Sequence, residues 1–460
     1  KFVDVTKAAG VLNFGLSLGV TVGDINNDGW QDIYISNDFS IPDYFYINNQ
    51  DGTFKEVNTK ASPHTSFYGM GIDIADINND GHLDIYQVDM DANNNRRKKA
   101  NMASMNPQLF WDVVDAGFHY QYMNNVMQIN TGLYTEDGVP YFTNASGITG
   151  TTSTDWSWAP LFADFDNDGK KDLYVTNGTR KEINQNDYFA LINGEKKHLS
   201  YLEKSLGIPS EKIDNFMFQN HGDLNFERVN KKWGIEMESF SNGAVYVDLD
   251  NDGDLELVIS NIGDVATIFE NKSSQTNYIS INFEGNDGNK FGLGNRVYVV
   301  NGDETQMQEL TLTRGFQSSV APELHFGLGK NATIEKLKVI WTDGKVQELT
   351  NVNGNQKLRL KYTDAIVPTE LDKQINNNTL FHVLPENSEI FPSFKHEENI
   401  FDDFETQVLL PHKMSNFGPA LAVGDLNNDG LEDYFIGGAS GFEGQLFYQT
   451  SAGTFVRQMQ

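Results

Sequence analysis

The sequence predicts an all-β protein of repeated β-propeller blades, joined to a small β-rich domain and the start of a second propeller. Two helical insertions interrupt it. Three observations predict this. A nine-residue acidic loop with a central glycine occurs five times. Each copy runs straight into a β-branched and aromatic stretch, and a second phrase, Phe followed by Val and then a Gly-containing turn, recurs between the loops. Repetition at blade-like spacing with strands on both sides of every loop is the signature of a radial all-β array.

The loops begin at Asp24, Asp76, Asp164, Asp248 and Asp425. Oxygen-bearing side chains occupy positions 1, 3, 5 and 9: Asp24, Asn26, Asp28 and Asp32; Asp76, Asn78, Asp80 and Asp84; Asp164, Asp166, Asp168 and Asp172; Asp248, Asp250, Asp252 and Glu256; Asp425, Asn427, Asp429 and Asp433. Position 6 is glycine in every copy, where the bend excludes a Cβ. Alternate residues of a tight loop turn their oxygens inward, an arrangement that suits a hard cation, and calcium is the expected ion at about five sites. Zinc or copper would call for His or Cys at these positions. An EF-hand would need a carboxylate at position 12 and flanking helices. Position 12 is Ile35, Gln87, Val175, Ile259 and Ile436, and the flanks Ile33-Tyr34-Ile35, Leu173-Tyr174-Val175 and Tyr434-Phe435-Ile436 read as strands. An acidic Asx turn would explain one copy; five with the same positions argue for metal.

A chain of 460 residues has room for about three domains. Its net charge of −30 argues against nucleic acid or an anionic membrane surface as partner. The loops carry much of that charge, and without metal their carboxylates would repel one another, so calcium is expected to be structural. Cysteine is absent, which removes disulfide and thiol chemistry. No transmembrane-length apolar run or signal peptide appears, and the chain opens inside a repeat at Phe2-Val3-Asp4-Val5-Thr6, which reads as a processed or truncated start.

Asp24 and Asp76 lie 52 residues apart, the length of a four-stranded blade. The next intervals, 88 from Asp76 to Asp164 and 84 from Asp164 to Asp248, are longer because each holds a helical insertion. These fall at about 93–128 and 179–215 within a blade region of 1–271. The first carries Arg96-Arg97-Lys98-Lys99, read as a solvated turn pairing with nearby acid, then an aromatic- and Met-rich stretch. The second has Leu199, Leu202 and Leu206 at helical spacing; the insertions are expected to cap or brace the blades in preference to forming a partner surface. From 277 to 362 no calcium loop appears and alternating strands dominate, among them Tyr278–Phe283, Arg296–Val300 and Lys336–Trp341, which reads as a separate β domain. A polar linker at 363–380 follows. Blade grammar resumes at Leu380-Phe381, so 381–460 is expected to be the first blade of a second propeller.

The Asp-x-Asn-x-Asp-Gly-x-x-Asp loops resemble FG-GAP/VCBS repeats, the calcium-bearing blades of integrin α chains. Gly292-Leu293-Gly294-Asn295-Arg296-Val297, Arg314-Gly315-Phe316, His325-Phe326-Gly327-Leu328-Gly329 and Trp341-Thr342-Asp343-Gly344 resemble the ASPIC/UnbV domain, with Asn295 in place of a small residue. The order is similar to the cartilage-acidic-protein-like family of Bacteroidota. Ser157-Trp158-Ala159-Pro160, Leu409-Leu410-Pro411-His412 and Gly418-Pro419 also fit that group. The resemblance implies that each loop adds a main-chain oxygen at position 7, from Trp30, His82, Lys170, Asp254 and Leu431. It also implies that four loops ahead of the ASPIC-like domain are too few for a usual seven-bladed ring without further blades.

No nucleophile elbow, phosphate loop or metalloprotease motif occurs. Asp402, Asp403 and Glu405, near His396, Glu397 and Glu398, read as a solvated acidic loop rather than an active site. His325 reads as a strand histidine, and Trp156 and Trp158 as core or inter-blade packing in preference to a sugar platform. The sequence therefore favours a non-enzymatic extracellular or cell-surface module, outer-membrane-associated in a Gram-negative bacterium. Its expected partners are a protein or glycan at the cell surface and other blades of the same longer polypeptide. The alternative is a carbohydrate-active lyase or hydrolase built on a propeller.

Overall fold

The position-9 carboxylate sits where each acidic loop re-enters its sheet. Gly23 pairs with Asp32, Ala75 with Asp84, Ala163 with Asp172, Val247 with Glu256 and Gly424 with Asp433, so every loop is the turn of an antiparallel hairpin. The computed structural model describes residues 2–100, 107–273, 276–368, 388, 390–392, 394–407, 410 and 413–458. The chain forms two compact units, Lys1–Asn376 and Asn377–Gln460.

The first unit begins with a run of blades. The first is a four-stranded sheet of Leu16–Gly23, Asp32–Asp38, Tyr44–Asn48 and Phe54–Glu56. The second is Ile72–Ala75, Asp84–Gln87, Val126–Tyr134 and Pro140–Asn144, and the third Ser157–Ala163, Asp172–Asn177, Phe216–Asn220 and Phe226–Arg228. As expected, each loop joins the first two strands of its sheet, and among the described residues no helix follows a loop directly. The fourth blade departs from the four-stranded expectation. It has only Ser241–Val247, Glu256–Asn261 and Thr267–Phe269, because the chain turns into the next domain where a fourth strand would come.

First strands lie side by side from blade to blade. Between the sheets sit three apolar cores: Ile25, Phe45 and Leu83 with Phe142; Ile77, Met127, Leu173 and Phe216 with Phe226; and Phe165, Met217, Leu255 and Leu257. Phe142 and Phe226 come from fourth strands. The third core has no such residue, and a cleft of about 320 Å³ lined by Met217, Trp233, Ile235, Leu257 and Phe269 opens there.

Helices fall in the two insertions, at Asn95–Ala100 and Pro107–Asp115, then Asn186–Asn193 and Tyr201–Leu206. Asn58–Ala61, Ser146–Thr149 and Asn230–Trp233 are single turns that follow the strands holding Phe54, Phe142 and Phe226. Two expectations here are corrected. Arg96 to Lys99 is helical rather than a turn; Arg96 and Lys98 are exposed and pair with Glu211 and Asp91 as expected, but Arg97 is not solvated. The Asn94 side chain accepts the Arg97 N–H at 2.9 Å, starting a helix there. Arg97 is turned inward and only 2% exposed, with both Asp155 oxygens at 2.6 and 2.8 Å and Glu182 and Glu211 at 3.1 Å. It ties the first insertion to the second. Leu202 and Leu206 do not brace a core either, both being 68% exposed. Their six-residue helix is held instead by polar contacts, a Ser200–Glu203 capping box and the Lys181 ammonium on the Leu206 and Ile208 carbonyls.

The following β domain has two sheets. One orders Leu324–Gly329, Asn277–Glu284 and Gln356–Lys361; the other Glu304–Glu309, Arg296–Asn301, Thr333–Ile340 and Val346–Asn353. They enclose a core of Ile279, Phe283, Val297, Leu337 and Trp341. Yet this domain shares one compact unit with the blades. Its hairpin, Thr313–Arg314 paired with Ser318–Ser319, lies against the first strands of all four blades. The Gly315 carbonyl accepts the Ile72 N–H at 3.2 Å, and Arg314 donates to Asp73 and to the Ile74 carbonyl, both at 2.8 Å. Gly315 has φ +56°, and a Cβ there would meet Ala159 at 2.8 Å, so only glycine fits the approach. Phe316 packs on Trp158 at 4.8 Å between ring centroids; Trp156 lies in the second core. Asn295 is buried, and its carboxamide oxygen accepts the Thr342 N–H at 3.2 Å.

The second unit holds the sheet Leu421–Gly424, Asp433–Ile436, Gln445–Gln449 and Phe455–Arg457 around the fifth loop. Expectations for Leu380, Phe381, Leu409, Pro411, His412, Met102 and Met105 lie outside the described residues.

Candidate metal centres

Local backbone geometry builds the five loops alike. Position 4 is asparagine every time, in the left-handed region at φ 59, 59, 56, 64 and 60° for Asn27, Asn79, Asn167, Asn251 and Asn428. Glycine at position 6 follows with φ between 85 and 95°. This double left-handed step curls the chain so that its N–H groups point inward. The position-9 carboxylate accepts the position-2 N–H in all five, at 3.0, 2.8, 3.1, 2.7 and 3.0 Å. Its other oxygen accepts a third-strand N–H from Asn48, Asn130, Asn220 and Gln449 in four of them. Asp24, Asp76, Asp164 and Asp425 accept N–H bonds from positions 5 and 6, while Asp28, Asp80, Asp168, Asp252 and Asp429 accept that of position 7.

Position 9 is interior in all five loops and position 1 in the first three. Asp24, Asp32, Asp76, Asp84, Asp164, Asp172, Glu256 and Asp433 are buried, whereas Asp28, Asn78, Asp80, Asp425, Asn427 and Asp429 are exposed and Asn26 is half-buried. Burial pushes the carboxyls up, to about 6 for Asp24 and Asp76 and about 8 for Asp32. Asp84, Asp164 and Asp172 are raised well above the usual carboxylate range by burial and, after it, by neighbouring carboxylates. Carboxyls buried this close together are neutralised either by a proton or by a cation.

Three carboxylate groups bring one oxygen from each member within 4.8 Å of the others: Asp164, Asp166 and Asp172; Asp248, Asp250 and Glu256; and Asp252, Asp254 and Glu256. Oxygen-only donors at that separation are compatible with metal binding. Among the described residues the first, second and fifth loops form no such triad. There position 3 is asparagine, and Asn26, Asn78 and Asn427 donate to Asp28, Asp80 and Asp429 at 3.0, 2.9 and 2.8 Å. Trp30, His82, Lys170 and Leu431 lie at position 7, with their N–H groups held as above; the Lys170 ammonium also pairs with Asp168 at 3.1 Å.

Sequence reasoning missed what joins the loops to each other. Asn27 contacts the His82 ring at 2.8 Å, Asn79 donates to the Gly169 carbonyl at 2.9 Å, and Asn167 to the Gly253 carbonyl at 3.0 Å. A second set of links comes from Asn130 and Asn220 on third strands and from Asn271 just beyond one: Asn130 to the Ile25 carbonyl, Asn220 to Ile77 and Asn271 to Phe165, at 3.2, 3.2 and 2.7 Å. The β domain supplies a third. Arg296 lies 3.5 Å from Asp24 and 2.8 Å from Glu309, and donates to Asn27 and the Asp24 carbonyl. His325, held neutral by burial with its value lowered to about 4, donates from Nε2 to Asn167 at 2.6 Å. Lys357 reaches Asn251 at 2.8 Å and Asp248 at 3.3 Å. The recurrence of asparagine at position 4 in all five copies was the available signal.

The acidic loop of the second unit makes local turn contacts instead. Asp402 accepts the Phe404 N–H at 3.1 Å, and Asp403 the Ser415 N–H at 3.0 Å.

Residues 24–86 match the FG-GAP-like repeat and residues 285–367 the ASPIC and UnbV family. The chain is 25% identical to cartilage acidic protein 1 of Homo sapiens over 369 residues, covering 78% of this chain and 46% of that protein. The Mus musculus protein of the same name is 24% identical over 387 residues, covering 82% and 49%. The chain thus spans about half the length of these relatives. Among solved structures, the V. cholerae biofilm matrix protein Bap1 aligns with a TM-score of 0.23 at 11% identity, covering 73% of this chain and 48% of that one. A likeness that weak carries no argument. This chain carries an FG-GAP-like repeat and an ASPIC/UnbV domain. No described helix is long and apolar enough to cross a membrane.

Proposed function

We propose that this chain is a calcium-stabilised propeller module of an extracellular or cell-surface protein, working as a binding or scaffold element for a protein or glycan. The observation that carries it is the placement of the carboxylate loops. In the first unit they sit at the junctions between blades, linked side by side through Asn27, Asn79 and Asn167 and clamped from the other side by Arg296, His325 and Lys357. A cation there would be held by position-1, -3, -5 and -9 oxygens and would supply positive charge to carboxylates that burial has already raised. Its role is structural, with all five loops as sites. The similarity to cartilage acidic protein 1 agrees with an acidic module of this composition. Sites of this type load where calcium is at about 10⁻⁴ to 10⁻³ M, which favours the cell exterior over the cytosol.

A carbohydrate-active enzyme would need converging polar groups in an open cleft. Lys171, Arg314 and His325 do converge where blades and β domain meet, but around a void of about 30 Å³, room for about one water. The outward face of the first blade, with Leu16, Val20 and Val22 exposed, suits packing against a further blade.

The test is thermal unfolding with calcium and with chelator. Binding to the folded form alone adds RT ln(1 + [Ca²⁺]/Kd), about 2.7 kcal/mol per site at a hundredfold excess. A large fall in midpoint on chelation is expected; an unchanged midpoint rejects the structural role. Fractionation that recovers the protein from the cytoplasm rejects the location.

A further inference from the structure

The fourth loop differs from its four siblings at three positions. Asp248 accepts no N–H from positions 5 and 6. Its side chain is 2% exposed, and neither oxygen has a hydrogen-bond partner among the described residues; the Lys357 ammonium is 3.3 Å away. Position 7, where the other loops carry Trp30, His82, Lys170 and Leu431, is Asp254. That residue is 3% exposed; one oxygen accepts the Ser273 N–H at 2.8 Å and the other has no partner. Position 9 is Glu256 in place of aspartate, also 3% exposed, with Oε2 on the Leu249 N–H at 2.7 Å and Oε1 unpartnered.

These features belong together. Two carboxylate triads meet in this one loop and share Glu256: Asp248 with Asp250, and Asp252 with Asp254. Within each, the ligand atoms lie within 4.8 Å, a spread that one ion reached at about 2.3–2.6 Å by each oxygen can bridge. The extra methylene of Glu256 lets one carboxylate serve both sides, Oε2 anchored on the loop and Oε1 free. Charge leads to the same result. Five carboxylates face one ammonium, from Lys357. A single divalent cation would leave at least two negative charges on a loop whose Asp248, Asp254 and Glu256 side chains are buried, whereas a second would offset them. The other loops offer three or four carboxylates at these positions and no side-chain oxygen at position 7.

We propose that the fourth loop is a two-cation site, its second hard divalent cation held by the side chains of Asp252, Asp254 and Glu256, with Glu256 bridging the pair. This rests on the reading of the loops as calcium sites. Asp254 thereby acquires a role distinct from the main-chain oxygen that position 7 supplies elsewhere.

The experiment counts calcium bound per full-length chain after loading and desalting, for the wild type and for Asp254→Asn. The asparagine keeps the main-chain carbonyl and an oxygen for the Ser273 N–H, so it removes only the second site. One calcium fewer in the variant is expected; an equal count overturns the proposal. A measurement on the wild type guards against misfolding of the variant. With terbium and neodymium loaded together, terbium emission excited through Tyr278, whose ring lies against Gly253, should shorten in lifetime because the two ions are neighbours. An unchanged lifetime overturns the two-cation site. A wild type that binds no calcium overturns the proposed function itself, so the two failures are distinguishable.

Discussion

Replacing Arg314 by methionine tests whether the β-domain hairpin holds the blades together. The guanidinium lies at 2.8 Å from Asp73, a side chain with no exposure, and at 2.8 Å from the Ile74 carbonyl. Methionine fills much of the volume and removes the charge. Asp73 keeps the Phe162 and Ile74 N–H groups at 2.8 and 2.9 Å but loses its counter-ion. Breaking a buried pair from one side costs about 3–5 kcal/mol, because a charge is left in low dielectric. Burial already raises the Asp73 carboxyl even with Arg314 beside it, so in the variant the folded value rises further. An acid raised by folding contributes stability that is present below its unfolded value, about 3.9, and lost as pH rises through the folded one. The variant's deficit is therefore expected to be smaller at pH 5 than at pH 8. Denaturant unfolding in saturating calcium reads the effect, and Trp158, packed on Phe316, gives a local signal of hairpin release. Adding Asp73→Asn should restore most of the loss, since no charge then remains to be paired. A deficit below about 1 kcal/mol, or a double variant no better than the single one, would refute the clamp.

Asn167→Gly keeps the left-handed backbone but loses the bonds to Gly253 and His325, and should lower unfolding free energy by about 1–3 kcal/mol. Asn167→Ala should cost about 1 kcal/mol more, since φ is 56° there; equal stability of all three proteins would remove the linking role. Arg97→Met leaves Asp155 and Glu182 buried without their cation and should destabilise the two insertions by about 3–5 kcal/mol. Limited proteolysis should then cut within the insertions first, and an unchanged cleavage pattern would contradict this.

The parts legible in the sequence were those set by local chemistry. A loop of Asp-x-Asn-x-Asp-Gly followed by Ile33-Tyr34-Ile35 or Leu173-Tyr174-Val175 specifies its own hairpin, because bend, ligand spacing and strand propensity all act within a dozen residues. What the sequence hid was long-range. Arg97 is one of four consecutive basic residues, and nothing in the run distinguishes the one that Asp155, Glu182 and Glu211 draw inward. The pairings of Arg296 with Asp24 and Lys357 with Asp248 join residues more than a hundred positions apart, and only the docking of the β domain creates them. The missing fourth strand of the fourth blade was hidden for a similar reason. No residue marks it, only the absence of a Phe-Val phrase between Phe269 and Tyr278.

The third loop shows why calcium should act on the whole first unit. It touches neighbours on three sides: Asn79 donates to its Gly169 carbonyl, its Asn167 reaches Gly253 in the fourth loop, and His325 of the β domain donates to Asn167. The fit to the β domain is also close in the backbone. A Cβ on Gly327 would meet the Asp164 carboxylate at 2.0 Å and Asn167 at 2.5 Å. Without a cation, ionisation of Asp164, Asp166 and Asp172 within 4.8 Å of one another is opposed by burial and mutual repulsion, which favours opening of the loop against all three neighbours. A disturbance there cannot stay within one hairpin. Asp168→Ala, which removes a rim oxygen and leaves the buried carboxylates in place, is therefore expected to lower the unfolding midpoint of the first unit as a whole, in a single transition that excess calcium partly restores. Hydrogen exchange should show the loss of protection in the strands Asp84–Gln87 and Glu256–Asn261 as well as Asp172–Asn177. Protection lost only between Ser157 and Asn177 would mean that the inter-loop asparagines carry no coupling, and that each blade keeps its metal to itself.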